Sequence, residues 1–109
     1  MKTKSLFIDF MGDYPTIRVL DYLLTERNQD FSITDMAKNS GIGRSTLYRI
    51  WVNLEKNKII TPTRVIGKAK LYKLNKDNAI IKKLIEMDNT LMLADLRKRS
   101  EKHKVEIVA

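Results

Sequence analysis

The sequence predicts a mainly α-helical domain with one small β-hairpin, an α+β fold class. Apolar residues recur at the three-and-four spacing of amphipathic helices in separate segments of the chain. Two short runs with strand character flank a glycine-containing turn, which is typical of a hairpin. The 109 residues include no cysteine, so a modest hydrophobic core rather than a disulfide framework must stabilise a single domain.

The first predicted helix begins at Pro15, because proline suits the first helical position, and it ends near Arg27. Four residues at helical spacing predict its buried face: Ile17, Leu20, Leu23 and Leu24. Residues 1–13 show no clear period. We therefore expect them to form an N-terminal arm, without assigning it a structure.

A second helix of about two turns is predicted between Thr34, a good N-cap, and Gly41, a natural left-handed stop. Just before it, residues 31–33 alternate apolar and polar side chains, as a single short strand does. The third helix is expected to begin at about Arg44. One apolar stripe predicts its buried face: Leu47, Ile50, Trp51 and Leu54.

Residues 59–65 and 69–74 are predicted as the two strands of the hairpin, with Gly67 at its tip. Pro62 indicates that the first strand lies at a sheet edge or has an irregular start. Periodicity leaves open which face of the return strand enters the core: Tyr72 with Leu74, or Leu71 with Lys73.

A long helix is predicted from about Asn78 to Lys102, with Asn75 or Asp77 as its cap. Its main apolar row has the spacing of a coiled-coil seam: Ile80, Leu84, Met87, Leu91 and Ala94. A second row, interrupted by Asp88, runs beside it: Ile81, Ile85, Met92 and Leu96. This apolar surface is wider than one small domain needs, so residues 76–109 are predicted as a dimerisation helix and tail.

Basic charge is concentrated in one part of the chain, whose formal net charge is +8. Residues 44–73 hold eight basic side chains and one acidic side chain. Residues 1–43 hold five basic and six acidic side chains, and residues 74–109 hold eight and six. Such a basic stripe is typical of a surface that binds a polyanion. A solvated face kept for solubility would spread the charge more evenly.

The order of helix, short helix, glycine turn, third helix and hairpin resembles the winged helix-turn-helix fold over roughly residues 14–75. Two segments carry the resemblance, SITDMAKNSGIGRSTLYRIWVNLEKNKII and TRVIGKAKLYKL. The chain is most similar to the small single-domain transcriptional regulators of archaea and bacteria, the broad grouping that includes MarR-like and ArsR-like proteins. It departs from that grouping at Gly43, where a capping side chain such as serine often precedes the recognition helix, so one phosphate contact is lost.

The resemblance implies that the third helix enters the major groove of double-stranded DNA. Arg44 and Arg49 are then the candidates for reading bases, because arginine pairs bidentately with guanine. Ser45 and Thr46, with the amides of the first turn, are placed to bind phosphate. Tyr48 is expected to contact a phosphate through its hydroxyl or a thymine methyl through its ring.

The resemblance also implies that the hairpin is a wing lying along the DNA backbone or the minor groove. Arg64, Lys68 and Lys70 surround the hairpin tip and are the predicted DNA contacts of the wing. The alternative is that they are ordinary edge-strand charges, which discourage aggregation. Trp51 is expected to be a core residue, since it lies on the apolar stripe.

We therefore expect a sequence-specific DNA-binding transcriptional regulator that acts as a homodimer. The alternatives are a winged-helix module that docks on protein, and an architectural or segregation DNA binder. No nucleophile with a base, phosphate loop or metal cluster is visible, so the sequence does not predict an enzyme. No cofactor or metal is predicted, because cysteine is absent and His103 is the single histidine. A cytoplasmic, nucleoid-associated location without a membrane segment is expected, because the apolar runs are short.

Overall fold

The computed structural model describes the backbone of residues 5–108 and the side chains of residues 5–101. Within these ranges the chain forms five helices and one two-stranded antiparallel sheet. In chain order the elements are α1 (Leu6–Met11), α2 (Pro15–Thr25), α3 (Ile33–Ser40), α4 (Arg44–Lys56), β1 (Ile60–Ile66), β2 (Ala69–Leu74) and α5 (Ala79–Val108). The predicted α+β class with a long C-terminal helix is confirmed. None of the described helices combines the length and apolarity needed to cross a membrane.

The N-terminal arm contains a short helix, α1, that periodicity does not predict. Ser5 caps this helix by accepting a hydrogen bond from the Ile8 backbone N–H at 3.1 Å. The Ser5 hydroxyl also donates to the Asp21 carboxylate of α2 at 2.7 Å. Phe7 is almost fully buried in the core. A single aromatic side chain and a serine cap therefore attach α1 to the rest of the domain. Residues 1–4 of the predicted arm, and the His103 side chain, lie outside the described residues.

The start of α3 differs from the prediction by two residues. Ser32, rather than Thr34, is the N-cap. Its hydroxyl accepts from the Asp35 N–H at 3.1 Å, and the Asp35 carboxylate accepts from the Ser32 N–H at 3.1 Å. The N-cap prediction at Thr34 is wrong because this reciprocal capping box satisfies two backbone donors that one side chain alone would not. The predicted left-handed stop at Gly41 is confirmed, with φ of 66°.

The sheet is small and has a short extension on one edge. Tyr72 of β2 exchanges two backbone hydrogen bonds with Phe31, each at 2.8 Å, which confirms strand-like pairing just before α3. On the other edge of β2, Tyr72 faces Pro62 of β1, and the pairing is irregular between Pro62 and Val65. Since Pro62 has no N–H to donate, its position on an edge strand costs no ladder bond.

The core lies between the helices and the base of the hairpin. All four residues of the predicted α4 stripe are buried, and Trp51 meets the Tyr72 ring edge to face, with ring centroids 4.7 Å apart. Both faces of β2 are used, because Tyr72 and Leu74 join the main core while Leu71 is buried outside it. Apart from Leu71, the buried apolar residues of α1 to α4 and the hairpin therefore form one contiguous core together with Ile81 of α5.

The N-terminal end of α5 is anchored by Asn78, and the predicted caps Asn75 and Asp77 are wrong. The Asn78 side-chain oxygen accepts from the N–H groups of Ile80 and Ile81, at 2.8 and 3.3 Å. Its amide nitrogen donates to the carbonyls of Asn57 and Lys58, at 2.9 and 3.1 Å. Asn78 therefore caps α5 and holds it on the turn between α4 and β1.

Much of the predicted coiled-coil seam on α5 covers the core of its own chain. From this seam Leu84, Met87 and Leu91 pack partly against the core, and Ile81 of the second row is fully buried. Asp88, which interrupts the second apolar row, receives a hydrogen bond at 2.9 Å from Arg27, in the connection that follows α2. Among the α5 side chains that the structure describes, the large apolar ones that stay exposed are Ile80, Met92, Leu93 and Leu96. Three of these four residues therefore lie near the middle of the helix, just beyond its contacts with the core.

The capping box of α3 generates a stability prediction. Ser32→Ala should lower the free energy of unfolding by about 0.5 to 2 kcal/mol, because it leaves a helix-start N–H without its side-chain acceptor. Thr34→Ala is the comparison at the position that the sequence predicted as the cap; it removes only an exposed hydrogen bond from Arg44 and should cost less than Ser32→Ala. Urea unfolding of both variants measures the difference. A larger loss for Thr34→Ala would contradict this assignment.

Candidate nucleic-acid interface

The outer face of α4 follows from the burial of its inner face. The helix places successive side chains about 100° apart, so burying the stripe that contains Leu47 and Trp51 turns the opposite side chains to solvent. Thr46 is half-buried beside the stripe. The exposed side chains along this face are Arg44, Ser45, Tyr48, Arg49 and Val52. The five recognition-helix residues predicted from the sequence therefore lie together on one end of α4.

Contacts from α2 and α3 hold the start of α4. Arg18 of α2 donates to the Gly41 carbonyl at 3.2 Å, which fixes the turn between α3 and α4. Arg44 donates to the Thr34 hydroxyl of α3 at 2.9 Å. Gly43 is the N-cap and provides no side-chain hydrogen bond. The first-turn N–H groups of α4 therefore have no side-chain acceptor at the cap, and such a helix start favours anions.

The two candidate base-reading arginines differ in their surroundings. The guanidinium of Arg44 is held against α3 by Thr34. Arg49 lies one turn further along α4, is exposed, and makes no hydrogen bond or ion pair with the described residues. An arginine that is free in the unbound protein keeps its full set of donors for a ligand. Arg49 is therefore the better placed of the two to bind a new partner.

The wing projects from the body of the domain. Every residue from 61 to 70 is exposed, and Gly67 at the tip has φ of 61°, a conformation that favours glycine. Lys68 is exposed beside the tip. The ammonium group of Lys70 lies 5.6 Å from the centre of the Tyr72 ring, within the range of a cation–π contact. The predicted wing cations therefore surround the exposed half of the hairpin.

Arg64, the third predicted wing cation, is paired with an acidic residue that sequence reasoning missed. Its Nε donates to Asp30 Oδ2 at 2.8 Å, and a second guanidinium nitrogen lies 3.4 Å from Asp30 Oδ1. The Thr63 hydroxyl donates to the same carboxylate at 3.2 Å. Hydrogen bonding from Arg64 is the main cause that holds the pKa of Asp30 below its usual range. Asp30 lies in the α2–α3 connection, so no local pattern links it to the hairpin.

The exposed side chains of this surface are not all polar. Val52 on α4 and Val65 near the tip of the wing are each 65% exposed, and Ile66 is 55% exposed. Among the described residues, no group of three or more His, Cys, Asp and Glu side chains is arranged to hold a metal ion. The surface therefore combines cations with isolated apolar side chains, as nucleic-acid surfaces and some protein-docking surfaces do.

A glycine turn between two helices, a following helix with an exposed polar face, and a β-hairpin beside it define a winged helix-turn-helix domain. The chain is similar to Staphylococcus aureus MepR, described as a transcription regulator of the multidrug efflux pump MepA. The TM-score is 0.59 at 20% identity, over 93% of this chain and 78% of that chain. A MepR mutant bound to an oligodeoxyribonucleotide matches with a TM-score of 0.60 at 18% identity, over 86% of this chain and 73% of that one.

Lactococcus lactis ZitR is a second similar structure. The apo form of a ZitR mutant matches with a TM-score of 0.60 at 14% identity, over 93% of this chain and 80% of that chain. In another ZitR structure the match covers 84% of this chain and 66% of that one. At these identities the likeness establishes the fold. No protein-family model and no curated protein sequence matches the chain.

The pairing of Arg64 with Asp30 generates a pH prediction. A carboxyl whose pKa is lowered by folding contributes stability above its ordinary pKa, near 3.9, and that contribution is lost as the pH falls. The difference in unfolding free energy between wild type and Arg64→Ala should therefore be largest near neutral pH and shrink in acid.

Urea unfolding of both proteins from pH 6 to pH 2.5 measures this difference. Burial raises the pKa of Asp21, which works in the opposite direction, but Asp21 is present in both proteins and its effect cancels. A difference that grows towards acid pH would contradict the assigned ion pair.

Proposed function

We propose that the protein is a sequence-specific double-stranded DNA-binding transcriptional regulator that acts as a homodimer. The observation that carries the proposal is the exposed face of α4, where Arg49 has no hydrogen-bond or ion-pair partner among the described residues, beside a wing whose residues 61–70 are all exposed. Positive charge in this unit suits a phosphate backbone, and a winged helix-turn-helix can reach one groove with its helix and another with its hairpin. The MepR mutant bound to an oligodeoxyribonucleotide supports DNA as the partner.

In this proposal α4 lies in the major groove and its first two turns contact the DNA. Arg49 reads a guanine edge, and Arg44 reads a second edge after leaving Thr34. Ser45 and Thr46, with the first-turn amides, bind phosphate, and Tyr48 contacts a phosphate or a thymine methyl. Lys68 and Lys70 on the wing contact the backbone or the minor groove. In the unbound protein Arg64 is paired with Asp30.

The homodimer is proposed to form through the middle of α5. Met92, Leu93 and Leu96 are exposed by between 42% and 59% and share one side of the helix. Met92 lines a shallow cavity together with Leu6 of α1, so the apolar surface continues from one helix to the other. Two copies joined there would present two α4 helices to half-sites about one helical turn, roughly 34 Å, apart.

A second candidate function is a winged-helix module that docks on a protein. The exposed Val52, Val65 and Ile66 favour it, since apolar side chains on a projecting surface suit a protein partner. An architectural or segregation DNA binder would use the same cations without reading a sequence. Selection from a random pool of DNA duplexes separates the three: a consensus supports the regulator, unselective binding supports the architectural protein, and no binding supports the protein-docking module.

The roles of α4 and the wing generate a paired prediction. Arg49→Ala should cost about 1 to 3 kcal/mol on the selected site and relax discrimination at one position per half-site. Lys68→Ala should weaken selected and scrambled duplexes by similar factors, and reduce the salt slope by about 1 per lost phosphate contact, or about 2 for a dimer. A salt titration of both variants on both duplexes measures these effects.

Lys82→Ala, which removes the same charge from the exposed side of α5, is the control and should change neither quantity appreciably. Unchanged affinity and specificity in Arg49→Ala would remove that residue from the reading surface. If both the Arg49 and the Lys68 variants kept wild-type affinity and salt slope, the protein-docking module would become the better account.

The proposed dimer interface predicts the oligomeric state of variants in which it is disrupted. Sedimentation velocity at micromolar concentration should give a dimer for wild type and a monomer for the Leu93→Asp/Leu96→Asp double variant, because two buried carboxylates would oppose association. Ile80→Asp is the control, since Ile80 is exposed on the predicted seam but lies about 20 Å along the helix from Leu93. A monomeric wild type, or a dimeric double variant, would refute this interface.

A further inference from the structure

The outer half of the wing has little that fixes its direction. Residues 61–70 are all exposed, so none of them is anchored by burial in the core. The pairing of β1 with β2 is irregular between Pro62 and Val65, just where the hairpin leaves the body. An isolated two-stranded hairpin is only marginally stable in water. Another contact must therefore hold the wing if it is to meet DNA in one orientation.

One carboxylate supplies that contact. Thr63 and Arg64, the two residues of the irregular stretch, both direct their side chains to Asp30. Among the described hydrogen bonds and ion pairs, these are the ones that join residues 63–70 to elements outside the hairpin. Asp30 directly precedes Phe31, which pairs with β2 on the edge opposite to β1. The contact therefore links the outer strand of the wing across β2 to the α2–α3 connection.

The same contact changes the electrostatic role of Arg64. Two of its guanidinium nitrogens face the Asp30 carboxylate, which compensates its charge. The Asp30 side chain is only 21% exposed, whereas that of Arg64 is 62% exposed, so the acid belongs to the body and the arginine to the wing. An arginine held by a bidentate pair is oriented as well as neutralised. Lys68 and Lys70 keep their charges for a ligand.

We propose that Asp30 is a positioning residue that fixes the wing for DNA binding, and that Arg64 acts through Asp30 rather than as a phosphate contact. The inference rests on the proposed DNA-binding function. It predicts that removing the Asp30 charge weakens DNA binding, which is opposite to the purely electrostatic expectation. On electrostatic grounds alone, removing an acidic side chain near a DNA-binding surface strengthens binding, because phosphates are repelled less. Loss of a positioning residue weakens binding, because fewer free molecules hold the wing correctly.

The experiment compares Asp30→Asn with Asp77→Asn, which removes the same charge from an exposed residue between β2 and α5. Asp30→Asn should weaken binding to the selected duplex by about three- to tenfold, as expected if a third to a tenth of the molecules stay competent. Asp77→Asn should bind as tightly as wild type or slightly tighter. The salt slope should stay the same in Asp30→Asn, since no phosphate contact is lost.

A second readout does not involve DNA. Backbone ¹⁵N order parameters of residues 63–70 in the free protein should fall from rigid values, near 0.85, towards flexible values, below about 0.6, in Asp30→Asn. They should be unchanged in Asp77→Asn. Arg64→Lys changes the other partner of this ion pair. The lysine keeps the positive charge but lacks the two parallel donors of the guanidinium group. It should reproduce both effects of Asp30→Asn, whereas a phosphate-binding Arg64 would be largely replaced by lysine.

The outcomes separate this inference from the proposed function. Equal or tighter DNA binding by Asp30→Asn, in a wild type that binds DNA, would overturn the inference and leave the regulator intact. Unchanged order parameters in Asp30→Asn would overturn it as well. A wild type that binds no DNA would refute the proposed function, and the order parameters would still decide whether Asp30 holds the wing.

Discussion

The rest of the structure depends on the burial of the apolar stripe of α4. Trp51 of that stripe meets Tyr72 of β2 edge to face, so one contact places both the helix and the hairpin on the core. Because the stripe faces inward, the charged and polar residues between its members must face outward. Because Tyr72 belongs to β2, the same contact packs the base of the hairpin against α4. The outer part of the wing is joined to the body separately, through the hydrogen bonds of Thr63 and Arg64 to Asp30.

The elements that periodicity predicts are the ones whose apolar faces repeat over several turns. The starts of α2 at Pro15 and of α4 at Arg44 and the glycine stop at Gly41 were predictable because each depends on residues close in sequence, whereas α2 ends two residues before the predicted Arg27. Helix α1 has six residues, too few for a period, and its burial depends on one phenylalanine. The N-cap predictions for α3 and α5 were wrong for another reason. Ser, Thr, Asn and Asp near a helix start are all competent, and the reciprocal bond that selects Ser32 over Thr34 exists only in three dimensions.

In the candidate site, too, the sequence predicts which residues are exposed but not which residues they contact. The exposure of Arg44, Ser45, Tyr48 and Arg49 follows from the helical period, so a sequence can place them on one face. The partners of those residues cannot be read in this way. Arg44 is held by a threonine ten residues earlier, and Arg64 by an aspartate 34 residues earlier. Charge counts place Asp30 among residues 1–43, far from the hairpin in sequence. Its contact with the wing exists only after the sheet has formed.

The packing of α5 has a mechanical consequence. Asn78 holds its start, and contacts with the core continue along the helix as far as Leu91. Residues 92–108 extend the helix by about 26 Å beyond that point. A tilt of about 10° moves the far end of such a segment by about 4 to 5 Å. In a symmetric pair joined through Met92, Leu93 and Leu96, the separation of the two α4 helices would therefore depend on the angle at which each α5 leaves the core.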